Sequence, residues 1–145
     1  MARLTLAQAT TIIEAALAKG RALDLAPLAV AVLDDGGHLK AFAREDRASI
    51  LRPQIATAKA WGALGMGFGT RTLAKRAADN PSFFASLFAV SEGRLIAVPG
   101  GVLIKDASGE VVGAVGISGD TSDKDEACAL AGIEAAGLKA EPGAS

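Results

Sequence analysis

Residues 99–126 read PGGVLIKDASGEVVGAVGISGDTSDKDE. Val102 to Lys105 is a short apolar run, Asp106-Ala107-Ser108-Gly109 is turn chemistry, and Val111 to Ile117 is a second apolar run, so the segment reads as a β-hairpin. A helix is expected next, from about Ser122 to Ala136 and stopped at Gly137. Carboxylates in a first turn stabilise the helix dipole, and Ser122 or Asp123 can cap it. Gly113 and Gly116 fall inside the second strand, where missing side chains let a neighbour pack close. With Gly119 they form G-x-x-G-x-x-G between a strand and a helix, which invites comparison with a dinucleotide-binding loop. Asp120, Asp123, Asp125 and Glu126 crowd the helix start that a pyrophosphate would need, and that reading is rejected.

Upstream, Leu28 to Leu33 is a mostly apolar run, Asp34-Asp35-Gly36-Gly37 a turn, and His38 to Ala43 a second run: another hairpin, its first strand apolar enough to be central. Leu95 to Val98 reads as a further strand. Thr5-Leu6-Ala7-Gln8 has capping-box form, with an apolar face from Leu6 to Leu17 and Gly20 as the expected stop. Pro53 suits the first turn of a second helix with Ile55, Ala58, Gly62 and Met66 as its inner stripe. Thr70 is expected to cap a short helix through Ala77, and Asn80-Pro81 to start another through Phe88. The tail from Lys139 to Ser145 shows no pairing pattern and is expected to fray. Strands that arrive as hairpins imply a largely antiparallel sheet. The expectation is one α/β (α+β) domain over residues 1–145, five strands with helices on both faces, in a profilin/PAS-like arrangement.

The 145 residues are 50% hydrophobic, so a core is available. With 15 basic against 16 acidic residues, the chain has no electrostatic footprint for nucleic acid or an anionic membrane, beyond a local cluster at Arg71, Lys75 and Arg76. No apolar run approaches a membrane span. The single cysteine, Cys128, fits a reducing compartment, and the N-terminus shows no export pattern, so a cytoplasmic location is expected.

Lys59 stands at the edge of the second helix's stripe. It either snorkels to water or points a charge inward to hold a carboxylate, paired with Asp125 or Glu126. Those two acids are adjacent, so they point about 100° apart and at most one faces inward. Arg44, Arg47 and Arg52 form either a solvated connection or a rim suited to an anion. Pro99-Gly100-Gly101 is either a tight or bulged strand connection or a turn whose backbone N–H groups let a ligand approach closely. His38, the only histidine, sits in a turn; one histidine with no nearby cysteine supports no metal site. Cys128 lies among alanines and reads as core.

Several blocks resemble the GlcG/HbpS-like haem-binding family: the hairpin Val30 to Leu39, Ile55-Ala56-Thr57-Ala58-Lys59-Ala60, Pro99-Gly100-Gly101-Val102, Val112 to Gly119, and Asp125-Glu126. The similarity runs from Leu4 to about Leu138 and extends to the C-terminal domain of some corrinoid adenosyltransferases. It implies dimers that assemble further, commonly to octamers, and a small anionic or tetrapyrrole ligand, haem or a corrinoid. The pocket is expected between the sheet and the second and last helices. Arg52 and Lys59 would be anion contacts there, Gly100 and Gly101 a backbone cradle, Asp125 or Glu126 a polar orienter, and His38 a haem-ligand candidate. The alternatives are a small isomerase, lyase or hydrolase acting on an organic acid, with Lys59 and Asp125 or Glu126 transferring protons, and a structural partner of a neighbouring enzyme.

Overall fold

The computed structural model describes residues 3–145. In chain order the elements are α1 (Leu6–Ala22), β1 (Ala29–Asp34), β2 (Leu39–Arg44), α2 (Arg52–Met66), α3 (Thr70–Asp79), α4 (Pro81–Val90), β3 (Gly101–Lys105), β4 (Val111–Ser118), α5 (Ser122–Ala135) and β5 (Lys139–Glu141). The strands form one five-stranded sheet in the order β2-β1-β4-β3-β5 with every pair antiparallel. This is the expected α+β architecture.

Alternation along the strands sorts side chains between two layers. Val30 and Val32, Val102 and Ile104, and Val115 and Ile117 pack with Ile12, Ala16, Cys128 and Ile133 of α1 and α5. On the opposite face, Ala29, Ala31, Leu33, Leu103 and Ala114 meet Ala56, Ala60 and Ala63 of α2. Small residues on both sides bring α2 very close. A Cβ on Gly116 would collide with the Ala56 carbonyl and lie 2.7 Å from the Ala60 nitrogen. The strand glycine therefore does what its position suggests, and the neighbour it admits is α2.

That close approach rotates α2 relative to the expected stripe. Its buried residues are Ala56, Lys59, Ala60, Gly62 and Ala63, while Ile55, Ala58 and Met66 sit half-buried on the flanks. A helix lying on glycine and alanine has no room beneath it for isoleucine or methionine. The capping box at Thr5 and Gln8 is present, but α1 continues past Gly20 to Ala22. Gly20 is packed against Leu28, whose Cδ1 would lie 2.6 Å from an added Cβ. Thr70 is the first residue of α3, not its cap. Its hydroxyl accepts from the Gly101 N–H at 2.8 Å. Asn80 caps α4 as expected, accepting from the Phe83 N–H.

Two further expectations change. Leu95 to Val98 is irregular rather than a strand; Leu95 is buried, and its Cβ would lie 3.0 Å from a Cβ on Gly62, so packing on α2 accounts for its apolarity. The fifth strand comes instead from the tail expected to fray. Leu103, Ile104 and Lys105 pair with Glu141, Ala140 and Lys139. Glu141 accepts the Gly69 N–H at 2.6 Å, and the Pro142 carbonyl accepts the Arg71 N–H at 3.2 Å, so the tail also holds the start of α3. Lys-Ala-Glu carries too little apolar alternation to announce a strand.

Candidate functional site

Lys59 and Asp125 stand on opposite layers, yet they meet. Lys59 Nζ lies 3.2 Å from Asp125 Oδ2 and donates to the Ile117 carbonyl at 2.8 Å. The other carboxylate oxygen accepts the Asp120 N–H at 3.0 Å. The two side chains are only 2% and 1% exposed. The ammonium crosses the end of the sheet, where β4 finishes and β3 begins. Gly100 makes that passage possible: its φ is +115°, and a Cβ there would stand 2.8 Å from Nζ. Lys59 does not snorkel to water: it turns inward and pairs with Asp125.

Burial pushes the Lys59 ammonium below its ordinary value, with the charge of Asp125 opposing the shift. Burial likewise pushes the Asp125 carboxyl up, against the charge of Lys59. Such a pair is held by its geometry and hydrogen bonds, because its mutual attraction is largely spent on desolvation. Proton exchange with a substrate would require the layers to part.

Glu126 turns to the other side of α5, as adjacency requires. It takes both Nε (3.0 Å) and Nη2 (3.2 Å) of Arg71, which also pairs with Asp123. Its hydrogen bonds to these acids raise the Arg71 guanidinium further above its already high value. With Lys75 paired to Asp79 at 2.7 Å, two members of the local basic cluster are neutralised within the chain.

The Gly100-Gly101 segment is closed to an outside ligand. The Gly101 N–H is bonded to Thr70, and a Cβ on Gly101 would strike the Lys59 carbonyl and Thr70 Cγ2. The close approach these glycines permit is taken by α2 itself. Among the described residues α2 and α5 lie on opposite faces of the sheet, and the buried Lys59–Asp125 pair fills the place where they communicate.

Arg52 is half-buried at the start of α2, and its guanidinium donates to Ser118 Oγ at 3.0 Å. Arg44 bonds the Ala48 carbonyl and lines a separate surface pocket of about 420 Å³ with Arg21, Pro27, Glu45 and Asp46. Arg44 and Arg52 thus serve different partners. His38 stands at the β1–β2 turn, at the other end of α2 from Arg52. Its side chain is 82% exposed, with Nδ1 3.3 Å from Asp34 Oδ1. A small pocket of about 170 Å³ lies beside that turn, lined by Asp35, Gly36, Gly37, Trp61, Leu64 and Gly65. Lys59, Gly100 and Asp125 are thus assembled and Arg52 stands near them, whereas Glu126 and His38 are elsewhere. Ser118 and Thr70, which organise this end of the sheet, carry no signal in the sequence, since their partners lie 66 and 31 residues away. Among the described residues no group of three or more His, Cys, Asp or Glu is placed to hold a metal ion, and no helix is long and apolar enough to cross a membrane.

Comparison with known proteins places this architecture. A Citrobacter freundii protein, described as an uncharacterised 15.0 kDa protein in the dhaT-dhaS intergenic region, is 28% identical over 134 residues, covering 92% of each chain. Klebsiella pneumoniae ORFY superimposes with a TM-score of 0.84 at 27% identity, covering 94% of this chain and 93% of that one. A double mutant of Streptomyces reticuli HbpS gives a TM-score of 0.79 at 29% identity, covering 92% and 87%. The fold is shared with PduOC in its haem complex, at a TM-score of 0.86 and 24% identity over 95% and 98% of the two chains. Residues 4–134 match the family described as haem degrading protein HbpS-like, and the chain belongs to that HbpS-like family.

Proposed function

We propose that this chain is a cytoplasmic homo-oligomeric ligand-binding protein, built of dimers that assemble to an octamer and taking haem or another carboxylate-bearing tetrapyrrole. The similarity to HbpS, at 29% identity over 92% of the chain, carries this reading. The fold shared with the PduOC:haem complex is consistent with it. Within one chain the fit is partial. His38 presents an accessible imidazole whose Nδ1 faces Asp34, which leaves Nε2 outward as an axial ligand. The pocket beside it is too small for a macrocycle, so the remaining walls come from a second copy. Arg52, at the far end of α2, is an anion contact for a ligand other than one held by the same chain's His38. Proton transfer by Lys59 and Asp125 on an organic acid is the weaker reading, because neither group meets solvent.

Titration with haemin tests the proposal. A saturable, red-shifted Soret band at one haem per chain or per chain pair is expected, and its loss in His38→Ala assigns the ligand. An unshifted Soret band at stoichiometric haemin refutes haem binding, and sedimentation of a single-chain species refutes the assembly.

A further inference from the structure

The α3–α4 arm carries a second feature, built on residues that take no part in the Lys59–Asp125 pair. α4 has the sequence PSFFASLFAV, without a single charge, and only Phe84 among its residues is buried. Phe83 remains 50% exposed although its ring packs edge-on against Phe84, with centroids 5.8 Å apart. Between these rings, the end of α2 and the end of α3 lies a cleft of about 320 Å³, lined by Met66, Arg76, Asp79, Asn80, Phe83 and Phe84. That volume falls at the small end of ligand pockets, roughly 300–1,000 Å³, and matches one aromatic ring rather than a macrocycle.

The polar groups at its mouth are unequal. Asp79, the one acid, is engaged with Lys75 at 2.7 Å. Asn80 spends its side-chain oxygen on the Phe83 N–H, which leaves its amide N–H groups as donors. The Arg76 guanidinium lies over the Phe68 ring, 4.7 Å from its centre, a contact that does not neutralise its charge. Among the described residues the cleft therefore combines apolar and aromatic walls with uncommitted donors and one positive charge, Arg76, that no carboxylate pairs. We propose that this cleft binds a small aromatic carboxylate, its ring between Met66 and the Phe83–Phe84 pair and its carboxylate on Arg76 and the Asn80 amide. The guanidinium fork suits a planar carboxylate in a bidentate contact.

Phenylacetate is the probe, titrated into the intact protein with ¹H–¹⁵N spectra as the readout. Saturable shifts confined to residues around 66–68, 76 and 80–84 are expected. Arg76→Gln should weaken binding about tenfold or more, while Arg76→Lys should recover part of it. Neutral phenylacetamide should bind the unaltered protein about as weakly as phenylacetate binds Arg76→Gln. Both substitutions fall on an exposed side chain, and an unchanged spectrum away from the cleft verifies the fold. The proposal is overturned by no shift at millimolar phenylacetate, by shifts elsewhere, or by equal binding of acid and amide. Phe83→Asp separates the remaining explanation: if it abolishes self-association while phenylacetate never binds, the cleft is a contact between subunits and the proposal falls.

Discussion

Replacing Lys59 by Met removes the ammonium while keeping most of the volume of its stem. Asp125 would then stand 1% exposed with one backbone N–H and no counter-charge. Breaking a buried pair from one side costs about 3–5 kcal/mol, because the other charge is left stranded. For a chain near this size each kcal/mol is worth about 2–4 °C, so the midpoint should drop by roughly 6–20 °C. Asp125→Asn strands the ammonium instead and should cost a similar amount. The double variant Lys59→Met/Asp125→Asn strands nothing, and its loss should fall well below the sum of the two. The pH dependence follows from the carboxyl. Burial already raises Asp125, and without Lys59 the opposing charge is gone. A raised folded-state value contributes stability that is complete below the unfolded value of about 3.9 and lost as pH climbs through the folded one. The deficit of Lys59→Met against the parent should be largest near neutrality and shrink toward acid. Urea unfolding between about pH 5 and pH 7.5 measures it, and an additive double variant or a deficit flat across that range would refute the reasoning.

Gly116→Ala pushes a methyl into the Ala56 carbonyl and should cost about 1–3 kcal/mol or more, read by thermal unfolding. Glu141→Ala removes the acceptor for the Gly69 N–H; a loss of about 0.5–2 kcal/mol is expected, with faster hydrogen exchange at that amide. Burial pushes the Cys128 thiol up to about 11, so a chromogenic disulfide reagent at neutral pH should react with it only at the rate of unfolding.

Much of the fold was legible because it rests on local patterns. The two hairpins are marked by turn residues between apolar runs, and α1 and α4 by their capping chemistry, whereas α5 follows Thr121 with no side-chain cap, so neither Ser122 nor Asp123 caps it as expected. What escaped depends on distant partners. β5 pairs through its backbone against β3, for which Lys139-Ala140-Glu141 needs no apolar code. The buried face of α2 was set by the glycines of β3 and β4, some forty to sixty residues on, and not by its own largest side chains. At the site, the adjacency of Asp125 and Glu126 sufficed to say that only one faces inward. Which one, and that Arg71 claims the other, required the layers to be placed.

The passage of Lys59 beside Gly100 has a consequence for how the chain acquires its structure. The ammonium rests on a carbonyl of β4 and a carboxylate of α5, whereas its stem belongs to α2. A chain with only one layer docked would hold either an unneutralised ammonium in the sheet end or an unneutralised carboxylate behind it. Docking of α2 and docking of α5 are therefore coupled, and half-assembled states carry a stranded charge. One side chain thus ties the two faces of the sheet together and favours their docking as a unit.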